Sequence, residues 1–146
     1  ISCSLVGSEM CIRDRGSVAS GGEISRVMLA VKTVLADEED TPTLIFDEID
    51  TGISGITAGK VGDRLRLIGK SRQVICITHL PQIAATADHH FLIRKKAEGT
   101  SVRTDVEMLD EAASVEELAR LLGGANVTER VMESAKELKE LAKCER

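Results

Sequence analysis

Two short apolar runs, Thr43 to Phe46 and Gln73 to Thr78, constrain this chain more than any other feature. Each suits a strand and is too short for a buried helix, and their Val, Ile and Thr residues favour the pleated state. Between them, Val61, Leu65 and Ile68 fall on one face of a helix predicted from about Thr57 to Gly69. Strand, helix, strand is the pattern of a crossover unit, in which the strands pair in parallel and the helix covers them. Such strands are buried on both faces, which accounts for their lack of polar alternation. Open sheets of this kind bind ligands beyond the carboxyl ends of their strands. Asp47 and Glu48 follow the first run at that end, and His79 follows the second.

The flanking segments extend an α/β reading. Ser20-Gly21-Gly22-Glu23 fits the S-x-x-E capping box. Ile24, Val27, Met28, Val31, Val34 and Leu35 follow at helical spacing, so a helix is predicted to about Asp37. Pro81 suits the first position of a short helix through Ala87. Phe91 to Lys96 and Ser101 to Met108 alternate around Glu98-Gly99 as a β-hairpin. Ser114 with Glu117 predicts a capped helix ending at Gly123-Gly124, and a last amphipathic helix is predicted from about Thr128 to Lys143.

Composition narrows the classes of function. With 42% hydrophobic residues, 146 residues bury an ordinary core. The formal charge of −5 gives no whole-domain electrostatic footprint for DNA. Two Phe, with no Trp or Tyr, argue against a base-stacking platform for single strands. Arg94, Lys95, Lys96 and Arg103 form a basic cluster on the predicted hairpin, for which a solvated strand face is the preferred reading. Cys3, Cys11, Cys76 and Cys144 show neither metal-ligand spacing nor a disulfide framework. Cys76 reads as a buried free thiol, which fits a reducing cytoplasm, and no apolar run is long enough to span a bilayer.

Four features carry chemistry, each with a plainer alternative. Ser20-Gly21-Gly22-Glu23 offers a hydroxyl, backbone N–H groups and the positive end of a helix to a phosphate; alone, it is equally a capped turn. Leu44-Ile45-Phe46-Asp47-Glu48 can direct Asp47 towards Mg²⁺ through water and Glu48 towards an attacking water, or simply end a strand in two solvated acids. Asp50-Thr51-Gly52 is a polar turn whose carboxylate could cross to a neighbouring protomer. His79 could contact a γ-phosphate, or be an ordinary strand-end histidine. His89 and His90 are assigned no chemistry.

In this order and spacing, the four features resemble the C-terminal half of an ATP-binding-cassette ATPase head. Ser20 to Glu23 looks like the signature motif, Leu44 to Glu48 like Walker B with its catalytic glutamate, Asp50 like the D-loop acid, and His79 like the switch histidine. The runs Ser-Gly-Gly-Glu-Ile-Ser-Arg, Phe-Asp-Glu-Ile-Asp-Thr-Gly-Ile-Ser-Gly and Ile-Thr-His-Leu-Pro-Gln-Ile-Ala are narrower, and resemble the bacterial SMC-like recombination and repair ATPases. The resemblance covers about Val18 to the C-terminus. It implies a mostly parallel sheet flanked by helices, with a β-hairpin and C-terminal helices. It also implies ATP and Mg²⁺, with a composite site in which Ser20 and the Gly21 and Gly22 amides clamp the γ-phosphate of a second head in a homodimer.

A Walker A loop, G-x-x-x-x-G-K-[ST], is missing from the sequence: Gly69-Lys70-Ser71 has Arg64 at the first glycine position, and Gly59-Lys60 is followed by Val61. The resemblance places that loop in an N-terminal half, so the chain is expected to be a C-terminal fragment of an ATPase, inactive by itself, that meets DNA through the intact protein in the bacterial cytoplasm and nucleoid. Residues 1–15, ISCSLVGSEMCIRDR, resemble translated sequencing-adapter sequence and are expected to be a non-native leader before a head segment at 16–146, the alternative being an ordinary N-terminus. Competing functions are another SMC-type or transporter ATPase head, and a truncated half that only pairs with a partner.

Overall fold

The computed structural model describes residues 21–34, 41–98 and 101–144. Ser20, the expected leader, the expected helix end at Asp37 and the hairpin tip lie outside the described residues. Helix α1 spans Gly21–Val34, strand β1 Thr43–Phe46, helix α2 Gly55–Gly69, strand β2 Gln73–Cys76 and helix α3 Pro81–Ala84. Strands β3 (His90–Glu98) and β4 (Ser101–Leu109) follow, then helices α4 (Glu111–Gly123) and α5 (Glu129–Cys144).

The crossover unit forms as its sequence predicts. β1 and β2 pair in parallel, Thr43 opposite Gln73 and Phe46 opposite Cys76, and the Ile77 N–H donates to the Phe46 carbonyl at 3.0 Å beyond the last pair. Among the described residues this parallel sheet has two strands, and the hairpin forms a second two-stranded sheet. The fold is therefore α/β with two small sheets, less than the mostly parallel sheet expected.

One core gathers Leu44 and Phe46 of β1, Ile49, and Ala58, Val61, Leu65 and Ile68 of α2, with Leu29 of α1 and Ile83 of α3 at its borders. Burying each large aliphatic chain stabilises by about 1.5–3 kcal/mol, enough to fix the crossover helix on the strands. A second core begins one residue later in α3, where Ala84 and Ala85 meet Leu118, Ala119 and Ala135 of the C-terminal helix pair. The single turn of α3 thus joins the two cores.

The apolar face of α1 is open: Ile24, Val27, Met28, Val31 and Val34 are exposed, and the helix packs through Gly22 and Leu29. Periodicity reports that a helix has an apolar face, not that a partner for it lies within the chain. One sequence expectation is corrected at α4, which begins at Glu111, three residues before the expected Ser114 cap. Asp110 is the cap, its carboxylate accepting from the Ala113 N–H at 2.8 Å. Ser114 is buried inside the helix, 3.0 Å from His90 Nδ1, and Glu117 forms two hydrogen bonds with Arg120.

The hairpin cluster is electrically compensated. Arg94 pairs with Glu107 at 3.6 Å, while Lys96 and Arg103 pair with Asp105 at 3.2 and 2.8 Å. Three of its four cations therefore face carboxylates of the same strands, as in a solvated face. Cys76 lies against the first core, and burial, with the nearby Asp50 and Asp47 charges, pushes its thiol up to about 12.

Candidate active site

The paired ends of β1 and β2 set Asp47–Asp50 beside Thr78–His79. Beyond β1 the chain turns sharply, the Thr51 N–H donating to the Glu48 carbonyl at 3.1 Å and the Asp47 carboxylate accepting from the Glu48 N–H at 2.9 Å. Glu48 adopts φ 57°, the left-handed region, and is the one non-glycine residue there among those described. A residue with a Cβ in this region costs on the order of 1–3 kcal/mol and persists only where its surroundings hold it.

Helix α1 supplies that restraint. Ser25 Oγ donates to the Asp47 carbonyl at 3.0 Å, and Arg26 donates to the carbonyls of Ile49 and Thr51 at 3.1 and 2.8 Å. These bonds span the turn on both sides of Glu48. The two glycines allow the close approach: a Cβ on Gly22 would lie 2.8 Å from the Glu48 carbonyl oxygen and 2.9 Å from Thr51, and one on Gly21 would lie 2.6 Å from Glu48 Oε2. The structure thus brings Gly21, Gly22 and Glu48 together within one chain, with the Glu48 carboxylate over the first glycine. Glu23 is exposed on the first turn of α1.

The Asp50 carboxylate turns inward, 5% exposed as a residue. It accepts from Thr78 Oγ1 at 2.7 Å and from the His79 N–H at 2.8 Å, and lies 2.9 Å from His79 Nδ1. Burial opposes its ionisation, but the bonds from Thr78 and His79 and the imidazole beside it prevail, holding the carboxyl below its ordinary value. The Asp50 backbone is tied to the same turn, its carbonyl accepting from the Ile53 N–H at 3.4 Å. The imidazole of His79 stays 72% exposed.

No family model matches the chain. It is 50% identical over 121 residues to the DNA repair protein RecN of Vibrio cholerae, covering 83% of this chain and 22% of that protein. It is 47% identical over 131 residues to RecN of Halalkalibacterium halodurans, covering 90% and 23%. Against RecN of Bacillus subtilis it is 42% identical over 127 residues, covering 87% and 22%. The chain belongs to the RecN family. It spans less than a quarter of the length of these relatives.

Within this RecN segment, sequence reasoning assigned no role to Ser25, Arg26 or Thr78. The only available hint was a polar pair one turn inside the glycine-led helix and a hydroxyl directly before the histidine. Among the described residues no cluster of three or more His, Cys, Asp or Glu surrounds a common point. One exposed carboxylate, Asp47, nevertheless suits Mg²⁺, which keeps most of its water and is held by one or two carboxylates with substrate phosphates. No helix of the described residues is long and apolar enough to cross a membrane.

Proposed function

We propose that this segment is the C-terminal part of a RecN-type, ATP-binding-cassette ATPase head acting in DNA repair, and that it supplies the hydrolytic side of an ATP site. The observation that carries this reading is the convergence of Glu48, Asp47 and His79 at the carboxyl ends of two parallel strands, with Glu48 held in a strained conformation by α1. In the proposed site Glu48 orients water for attack on the γ-phosphorus and takes up its proton as the ADP oxygen leaves. Asp47 would hold Mg²⁺ through water, and the ion would supply positive charge beside the phosphates. His79 meets the γ-phosphate. The start of α1 offers the Gly21 and Gly22 amides to the γ-phosphate of a second head, with Ser20, the residue before them in sequence, as a further donor.

The proposal extends to the remaining partners. A Walker A region of the same protein binds the α- and β-phosphates, and DNA is met mainly by parts beyond this hairpin, three of whose four clustered cations are paired. The largely apolar groove between α1 and β1, in which Ile24, Met28, Leu44, Ile45 and Phe46 are joined by Ser25 and Lys32, supports a head completed by further chain.

The test is Glu48→Gln in a full-length RecN protein carrying this segment. Loss of a catalytic proton acceptor costs on the order of 10²–10⁴-fold in turnover. ATP turnover should fall by that order while ATP-dependent pairing of heads persists in sedimentation. Unchanged turnover removes Glu48 from the role.

A further inference from the structure

Asp50 has no part in the chemistry above, yet it is the buried carboxylate on which the strand-end loops converge. Its Oδ2 accepts from the Thr78 hydroxyl and the His79 backbone N–H and lies 2.9 Å from His79 Nδ1. Thr78 Oγ1 in turn accepts from the Leu80 N–H at 3.0 Å, which leaves its own hydrogen for Asp50. An ionised carboxylate only accepts, so a bond at that distance requires the hydrogen on Nδ1. The main chain and the ring of His79 are therefore tethered to the same oxygen.

We propose that Asp50 is the positioning residue of His79: it fixes Nδ1 as the protonated nitrogen and presents Nε2 to the γ-phosphate. This rests on the reading of His79 given above and deepens it. The torsion that turns an imidazole is soft and two-fold, so an untethered ring at 72% exposure would present either nitrogen. With Nδ1 held by a carboxylate, Nε2 alone faces outward. A phosphate oxygen only accepts, so contact with Nε2 requires a hydrogen there as well, and the ring then donates from Nδ1 to Asp50 and from Nε2 to the phosphate. The signal lies in the fold rather than the sequence, because Asp50 and His79 are 29 positions apart and meet only through the parallel register.

Two measurements test this. Imidazole ¹⁵N spectra of the 146-residue chain, above the titration range of its three histidines, should show the neutral ring of His79 protonated at Nδ1. A ring protonated at Nε2 overturns the proposal, and the wild-type spectrum decides this whether or not a variant folds. In a full-length RecN protein carrying this segment, Asp50→Asn keeps the shape but not the charge. It should lower kcat on the order of ten- to a hundred-fold, by analogy with loss of the carboxylate behind a metal-bound histidine, with KM for ATP nearly unchanged and partial recovery in Asp50→Glu. An unchanged kcat, or a loss confined to KM, overturns it. If wild-type full-length protein hydrolyses no ATP, the ATPase reading fails, while the imidazole spectrum still decides the pair.

Discussion

The two faces of the β1–β2 pair are built from the same residue types and have opposite fates. On one face, Leu44 and Phe46 lie under α2 at 8% and 6% exposure. On the other, Ile45, Ile75 and Ile77 remain 68%, 44% and 48% exposed, beside the open flank of α1. Hydropathy alone cannot separate them, because a strand of a central parallel sheet is apolar on both sides. The difference lies in which covering element the chain contains. α2 is local, lying between the two strands in sequence, whereas nothing among the described residues covers the second face. A continuous apolar strand therefore specifies a two-sided burial that this segment satisfies by half.

The largest effect should follow from breaking the covered face. Phe46→Ala removes a ring at the centre of the first core, and large-to-small changes of this kind cost about 3–5 kcal/mol. Urea unfolding of the chain should show a midpoint lowered accordingly, or no cooperative transition at all. A loss below about 1 kcal/mol would mean that α2 does not depend on this face for its place.

That contrast also sets how much was legible beforehand. The strands, the crossover helix and the hairpin could be read because their periods are local and their punctuation lies in adjacent residues. Asp47, Glu48 and His79 could be placed at the strand ends for the same reason: a strand end is visible in sequence. The open face of α1 could not be read, because period 3.6 gives orientation without a partner. The α4 cap was misplaced because Ser114 and Glu117 satisfy the capping pattern, while Asp110 needs only its own carboxylate. The inward turn of Asp50 and the clamp by Ser25 and Arg26 were invisible, since these contacts join residues 22 to 29 positions apart and depend on the finished register.

A smaller effect should come from the seam between the two faces, where α1 meets the β1 turn. Gly22→Ala gains helix propensity worth at most about 1 kcal/mol. It also drives a Cβ to 2.8 Å from a backbone carbonyl and 2.9 Å from Thr51, and overpacking against atoms that cannot swing aside costs about 1–3 kcal/mol. The clash should win. Amide exchange of α1 should accelerate while that of α2 is unchanged, because Leu29 and the Ser25 and Arg26 bonds must all shift together. Equal acceleration in both helices would show that the α1 seam and the covered face unfold as one unit.

The smallest effect is expected on the bare face, and its size should depend on context. Ile45→Ser changes a side chain that is 68% exposed, so stability of the 146-residue chain should move by no more than about 0.5 kcal/mol. In a full-length RecN protein carrying this segment, the same position should be covered by the rest of the head. There the substitution replaces buried hydrocarbon with a hydroxyl and should cost about 2 kcal/mol or more, the range of a truncated core isoleucine. The pair of measurements separates two meanings of an exposed apolar residue. A small loss in both contexts makes Ile45 part of a true surface, and the open face carries no information about missing chain. A small loss in the short chain with a large one in the long protein makes the β1–β2 pair the interior of a larger sheet, its second side reserved for residues encoded elsewhere in the same protein.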